Sequence, residues 1–428
     1  MDDEQTQADR WAEWDVAHCW HPFTPHGGWT DPLLLAGGEG AWLIDAGGRR
    51  YLDGNSSIWT NLHGHRHPRL DAAVNAQLAR VAHTSFLGYA HPPAAELAKR
   101  LVDLVPGGGL ERVFFSDDGS TAVEVAVKMA IQFRQQTGQE KRTGFIAFEN
   151  AYHGDTMGAS SLGGVSRFFE RFRAFGMPVT HVAGMEDLRR LPDAQVRETA
   201  AVAIEPLVQG VNEVRVWPAG MLRELRAWCD EAGVQLILDE VLTGFGRTGR
   251  MFACEHEAVT PDYLCLAKGL TGGYLPLAAT MTTREVFEAF LGGPEKAFYY
   301  GHSYTANQLG CAAALASLDV FAEEGVLARL PRKIDALRDG LAQLAHPAVH
   351  EVRQCGLIAG VELRQPDGER FPAEERVGER VCRAAREHAL LTRPIRDTIV
   401  VMPPLCVTEE EIAMVVDAVG KAIAAACK

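Results

Sequence analysis

The feature that most restricts how this chain can fold is an alternation in its middle. Short apolar, uncharged runs at 113–115, 145–148, 201–204, 234–238, 263–266 and 278–281 are separated by stretches of helical spacing. In one such stretch, 221–232, Leu222, Leu225 and Trp228 recur on one face; another spans 122–134. Strands that are apolar throughout are buried on both faces, which requires a mostly parallel sheet covered by helices on each side. Before residue 70 and after about 330 the pattern loosens into shorter strands and amphipathic helices, such as 375–388. The expectation is an α/β protein with a large domain over 71–330. A smaller α/β domain is expected from the two ends, 1–70 and 331–428.

Composition narrows the partners. The formal net charge is −14, which argues against a general nucleic-acid or anionic-membrane surface. The apolar-leaning uncharged run 269–283 is too short and too rich in Gly and Pro to span a bilayer. The first fifteen residues lack the basic and apolar regions of a secretory signal. Nine dispersed cysteines without a CxxC pair read as reduced thiols, with neither a disulfide frame nor a zinc site. A cytoplasmic protein acting on small molecules is expected, with no metal.

In a parallel sheet, ligands bind beyond the carboxyl ends of the strands. The run at 113–115 leads into Ser116, Asp117, Asp118, Gly119, Ser120 and Thr121 and then a helix. Small residues at a helix start offer free N–H groups and the positive end of a dipole, a cup for phosphate, although an ordinary N-cap looks the same. The run at 234–238 ends in Asp239, an acid that, if buried, needs a cationic partner. The run at 263–266 ends in Ala267, Lys268 and Gly269. A desolvated lysine there forms a Schiff base readily, whereas a lysine with only its stem packed does not. Each feature alone has an ordinary structural explanation. Together they are the parts that pyridoxal 5′-phosphate requires: a phosphate cup, an acid for the pyridinium nitrogen and an amine for the aldehyde.

Two motifs point elsewhere. Gly244, Gly246 and Gly249 match GxGxxG, but Asp239 to Thr243 intervene after the strand and no clear helix follows, which argues against a dinucleotide fingerprint. His63, His65 and His67 alternate, but Arg66 and the lack of a neighbouring carboxylate favour a loop over a zinc site.

The ordered segments SDDGSTAVEVAVKMA, NAYHGDTMGA, IEPLVQG, LILDEVLTGFGRTGRMFACEHEAVTPDYLCLAKGLTGG and GHSYTANQLGCAAAL resemble the class III aminotransferases of fold type I. CWHPFTP, DGNSSIWTNLHGHRHP and LLTRPIRDTIVVMPPL resemble more narrowly the subfamily that aminates 8-amino-7-oxononanoate in biotin biosynthesis. The likeness runs from about His18 to Leu405. It implies the fold type I architecture, with a mostly parallel seven-stranded sheet in the large domain. It further implies Lys268 as the cofactor-bound lysine, Asp239 as partner of the pyridine nitrogen, Gly119 and Ser120 at the phosphate, and Tyr152 against the ring. It implies a homodimer with shared active sites, in which His302 and Ser303 reach the other chain's phosphate and Gly301 lies near substrate. Arg393 would pair with the acceptor's carboxylate, and Asp155 and Trp59 would line the pocket.

Where the best-known members carry Tyr this chain has Phe23, and where they carry a first Trp it has Ile58, beside Trp59. The loop after Gln209, usually glycine-rich, reads Gly210, Val211, Asn212, Glu213. Phe23 and Ile58 bear on the amino donor. Most of the subfamily uses S-adenosylmethionine, and a branch resembling this chain at HGHRHP, GYLP, GHSYT and LLTRP uses lysine. Another ω-aminotransferase, acting on a diamine, ω-amino acid or amine, is the alternative.

Overall fold

The computed structural model describes residues 2–427. Its central sheet has seven strands: β1 (Arg112–Ser116), β2 (Gly144–Phe148), β3 (Val179–Val182), β4 (Thr199–Ile204), β5 (Gln235–Asp239), β6 (Tyr263–Leu266) and β7 (Ala278–Thr282). Their spatial order is β1-β7-β6-β5-β4-β2-β3. Only β7 is antiparallel to its neighbours. Every residue of β4 to β7 is buried, which is why these runs carry no charge before their last positions.

The two faces are filled by alternate residues of each strand. Ile237, Ala201, Ala203, Tyr263 and Cys265 pack with Ala122, Val123, Ala126 and Ala130 of helix α1 (Gly119–Gln136). Leu236, Leu238, Val202, Ile204 and Leu264 face the other side, into the cluster that includes Leu222 and Leu225 of helix α2 (Met221–Ala232). The alanines of α1 let the helix lie close on the strands, and its first turn opens at their carboxyl ends. The six anticipated strands are all present. The strand β3 was not anticipated: it pairs only with β2 at the sheet edge, and its sequence, VTHV, is half-buried and broken by His181.

The two ends of the chain meet in smaller sheets. Leu35–Glu39, Trp42–Asp45 and Arg50–Asp53 form a sheet completed by Leu390–Leu391. Val349–Cys355, Ile358–Leu363, Thr398–Val401 and Pro394–Ile395 form another. The GxGxxG segment lies against both ends of the chain. Arg247, 1% exposed, donates from Nη1 to the Pro403 carbonyl at 2.8 Å and from Nη2 to the Asn61 carbonyl at 2.7 Å. Burial pushes its pKa down to about 9, against the pull of the Asp53 charge. The segment is therefore a clamp around a buried guanidinium.

The three alternate histidines lie in a loop, and each has its own partner. His63 meets Ser317 at 2.9 Å, His65 meets Asp53 at 3.0 Å and His67 meets Glu324 at 3.0 Å. Carboxylates do approach this loop, contrary to the sequence expectation, because they come from distant segments. Among the described residues no three His, Cys, Asp or Glu side chains group as metal ligands.

Replacing Arg247 by Met leaves two buried carbonyls unpaired and is expected to cost about 2–4 kcal/mol. Urea unfolding checks this: the midpoint falls with the slope kept, whereas an unchanged midpoint removes the clamp from the account.

Candidate active site

Strand register builds the site. Asp239, the last residue of β5, is level with Cys265 on β6, so Lys268 emerges just beyond it. On the other side Leu238 is level with Ile204 of β4, so Glu205 stands beside Asp239. The loop after β2 then carries Tyr152 and His153 across these ends.

Asp239 and Glu205 are both buried. One Asp239 oxygen accepts from the Val241 N–H at 3.1 Å, and the other meets His153 Nδ1 at 2.8 Å. Burial works against charge on His153, but the bond to Asp239 and that carboxylate's charge outweigh it and raise its pKa. Glu205 accepts from the N–H groups of Tyr152 at 3.0 Å and Gly210 at 2.9 Å. Burial lifts its pKa to about 7, with His153 opposing and Asp239 adding to the rise. Sequence reasoning missed both Glu205 and His153. Glu205 carries the same signal as Asp239, an acid closing a buried strand, and His153 directly follows the singled-out Tyr152.

Lys268 begins a short 3-10 turn with φ +42, an unfavourable value for a residue with a side chain. Desolvation lowers its amine's pKa to about 8, although the Asp239 and Glu205 charges pull it upward. Its Nζ lies 4.7 Å from the centre of the Trp59 ring. Trp59 is delivered by an unusual device. Ser56, Ser57, Ile58 and Trp59 have φ of +47, +49, +64 and +69, a left-handed turn that costs roughly 1–2 kcal/mol per residue. Asp53 holds it, accepting from the Ser57 N–H at 2.9 Å and its hydroxyl at 2.7 Å. The Ser56 hydroxyl donates to the Met402 carbonyl at 2.6 Å, and the Trp59 indole N–H to Asn55 at 2.8 Å. Ile58, on the same turn, is 45% exposed.

Gly119 and Ser120 open α1, whose first-turn N–H groups lack helical carbonyl partners. The cup is tight: a Cβ at Gly154 would meet Ser120 Oγ at 2.3 Å, and one at Gly119 would meet Val241 at 2.6 Å. Ser120 Oγ accepts from the Asp155 N–H at 3.1 Å, and Asp155 accepts from the Tyr152 hydroxyl at 2.6 Å. That bond and, above all, burial raise the Tyr152 pKa. Phe168 links Tyr152 to Phe23, with ring centres 5.8 Å and 5.4 Å apart. Phe23 remains 57% exposed.

Four expected residues stand further out. Gly301, with φ +152, and Ser303 are exposed, and His302 Nδ1 lies 3.2 Å from Asp117 of the same chain. Neither buried ring nitrogen of His302 has a hydrogen-bond partner. Arg393 is exposed and forms no ion pair with any described residue, although nearby Ile395 belongs to the apolar cluster that includes Trp59.

The donor set fits pyridoxal phosphate: a depressed amine, a carboxylate hydrogen-bonded to a buried imidazole, and open helix N–H groups all converge at the strand ends. Comparison with known proteins agrees. The aminotransferase class-III model matches residues 26–423. The chain belongs to the class III aminotransferases, enzymes that use pyridoxal 5′-phosphate. Within that class it is 46% identical to the adenosylmethionine-8-amino-7-oxononanoate aminotransferase of Geobacter sulfurreducens, over 99% of both chains. It is 43% identical to the enzyme of that name from Aquifex aeolicus, over 96% of both. The crystal structure of the Methanocaldococcus jannaschii enzyme of that name superposes with a TM-score of 0.95, at 40% identity, over 98% of this chain and 99% of that one. An (S)-enantioselective ω-transaminase from Thermomicrobium roseum follows at a TM-score of 0.93 and 33% identity, over 98% and 99%.

If Lys268 sits as described, its amine in the cofactor-free protein titrates near pH 8, neutral above and charged below. A reductively ¹³C-methylated sample, with the Lys268 resonance identified by its absence in K268A, reads this by NMR. A midpoint near that of an unperturbed lysine, about 10.4, would contradict the desolvated placement.

Proposed function

We propose that this aminotransferase transfers an amino group from S-adenosylmethionine to 8-amino-7-oxononanoate, giving 7,8-diaminononanoate for biotin synthesis. The observation that carries the reading is full-length identity to enzymes of that name, together with intact Lys268, Asp239 and Tyr152. Bound pyridoxal phosphate supplies a carbonyl for the donor amine and a protonated ring that accepts the electron pair left when the Cα proton departs.

The chain's own residues do the rest. Asp239, braced by His153, faces the ring nitrogen and keeps it protonated. Lys268, a large fraction of it neutral near pH 8, takes the Cα proton of the donor and returns one to the acceptor carbon. Gly119 and Ser120 hold the phosphate by N–H groups, and Tyr152, fixed by Asp155, lies against the ring and walls the pocket. Phe23, Ile58 and Trp59 line the donor side, with Gly301 near substrate. Arg393, with its free guanidinium, grips the acceptor's carboxylate, a task suited to a planar bidentate donor.

The working unit is a cytoplasmic homodimer. Leu87, Tyr89, Tyr299 and Tyr304 expose a large apolar surface around the segment carrying His302 and Ser303. The His302 ring, whose charged neighbour among the described residues is Asp117 at 3.2 Å and whose nitrogens make no hydrogen bond there, would turn to the phosphate of the other subunit. The separate sheets support a division into a large domain, 71–330, and a small one from 1–70 and 331–428. Lysine is the second reading of the donor, on the likeness of HGHRHP, GYLP, GHSYT and LLTRP to the branch that uses it; Phe23 and Ile58 bear on the choice.

A half-reaction tests the proposal. S-adenosylmethionine alone should bleach the visible absorbance of the holoenzyme, and 8-amino-7-oxononanoate should restore it. Bleaching by lysine instead selects the second donor. Bleaching by putrescine or β-alanine, with no recovery on adding the oxononanoate, would overturn the reading in favour of another ω-aminotransferase.

A further inference from the structure

We infer that Glu213, in the loop where this chain departs from the glycine-rich pattern, is a positioning residue that sets where Arg393 stands relative to Trp59. It thereby fixes the reach of the pocket for the acceptor's carboxylate. The inference rests on the reading that Arg393 grips that carboxylate.

The loop starts at the site. The Gly210 N–H is held by Glu205, and a Cβ at Gly210 would lie 2.4 Å from Leu242 and 3.3 Å from the Trp59 ring. The backbone of this loop is thus in contact with the residue that covers Lys268. Asn212 donates to Gln209 at 2.8 Å and closes the turn. Glu213 and Val214 then take φ of +55 and +59, two successive left-handed residues that are not glycine. Such a conformation persists only where surrounding contacts impose it.

Those contacts come from the C-terminal part of the chain. The Glu213 side chain is 9% exposed. It accepts from the Thr398 hydroxyl at 3.0 Å and pairs with Arg370 at 3.1 Å and Arg396 at 3.4 Å. Its main-chain carbonyl accepts from Arg353 at 3.0 and 2.8 Å. Arg353 is itself paired with the buried Glu362 at 2.5 Å. Glu213 is the buried member of its ion pairs, with Arg370 and Arg396 largely exposed, so removing its charge leaves the Thr398 hydroxyl without its charged acceptor while the Arg353 bonds to the carbonyl remain.

Thr398 opens the strand Thr398–Val401. Within it, the Val400 N–H donates to the Arg393 carbonyl at 3.2 Å, and the Val400 carbonyl accepts from the Thr392 hydroxyl. Since the Arg393 side chain has no ion-pair partner, its place is set by this main-chain pairing. Contacts are therefore continuous from Trp59 through Gly210, Glu213, Thr398 and Val400 to Arg393. Val214 is buried in the same apolar cluster as Trp59, Ile395 and Val400. None of the contacts made by Glu213 involves Lys268, Asp239 or His153, so the proton-transfer machinery is spared.

Steady-state and half-reaction kinetics of the holoenzyme variant E213Q test the inference. The KM for 8-amino-7-oxononanoate should rise roughly tenfold, with kcat and the donor half-reaction within about twofold of the parent. E213D should restore part of the loss, and T398V, a milder change, should move the same parameter in the same direction. In the double variant E213Q/R393A the acceptor KM should be no higher than in R393A alone. An equal rise for donor and acceptor, or a fall in Tm with the acceptor KM unchanged, would overturn the inference. If R393A alone leaves the acceptor KM unchanged, the reading of Arg393 has failed. If R393A raises it and neither E213Q nor T398V does, only the role of Glu213 has failed.

Discussion

The site depends on carboxylates held at the ends of buried strands. Asp239, Glu205 and Glu240 all lie where the sheet stops, and all are buried. A carboxylate in that setting ionises only if something replaces the water it has lost. Each acid is supplied differently. Glu240 accepts from the Ala253 and Cys254 N–H groups at 2.6 and 2.8 Å, and burial still lifts its pKa to about 7. Glu205 has two N–H donors and a pKa near 7 as well. Asp239 alone of the three is hydrogen-bonded to an imidazole, that of His153, which fixes its orientation and suits it to face a protonated ring.

The same economy runs through the strained segments. The left-handed turn at 56–59 and the positive φ of Lys268 each cost free energy, and both end at the reacting amine. Asp53, Ser56 and Asn55 hold the turn by hydrogen bonds to distant backbone and to its own side chains. Arg247 holds the loops that flank it, through Asn61 and Pro403. The pocket is therefore set by contacts made before any substrate arrives, the arrangement that positional catalysis requires.

Much of this was legible in the sequence, for a physical reason. Strands buried on both faces must be apolar, so the polar residue that ends each one stands out, as Asp239 and Lys268 do. The edge strand β3 is half-solvated and carries no such contrast. His153 was hidden because it lies in a loop, where no periodicity marks it. The role of Arg247 was hidden because its partners are carbonyls far along the chain, which side-chain patterns do not reveal. The exposure of Arg393 was not legible either: its apolar neighbours Ile395 and Val400 are packed, but its own side chain is exposed.

The central claim is that Lys268, just beyond the strand position level with Asp239, is the residue that carries the cofactor. Borohydride reduction of the holoenzyme followed by peptide mass mapping tests it most directly. The account predicts one pyridoxyl group per chain, on the peptide containing Lys268, and none on the reduced K268A variant. Labelling of another lysine at comparable yield, or an unlabelled Lys268 peptide, would contradict it.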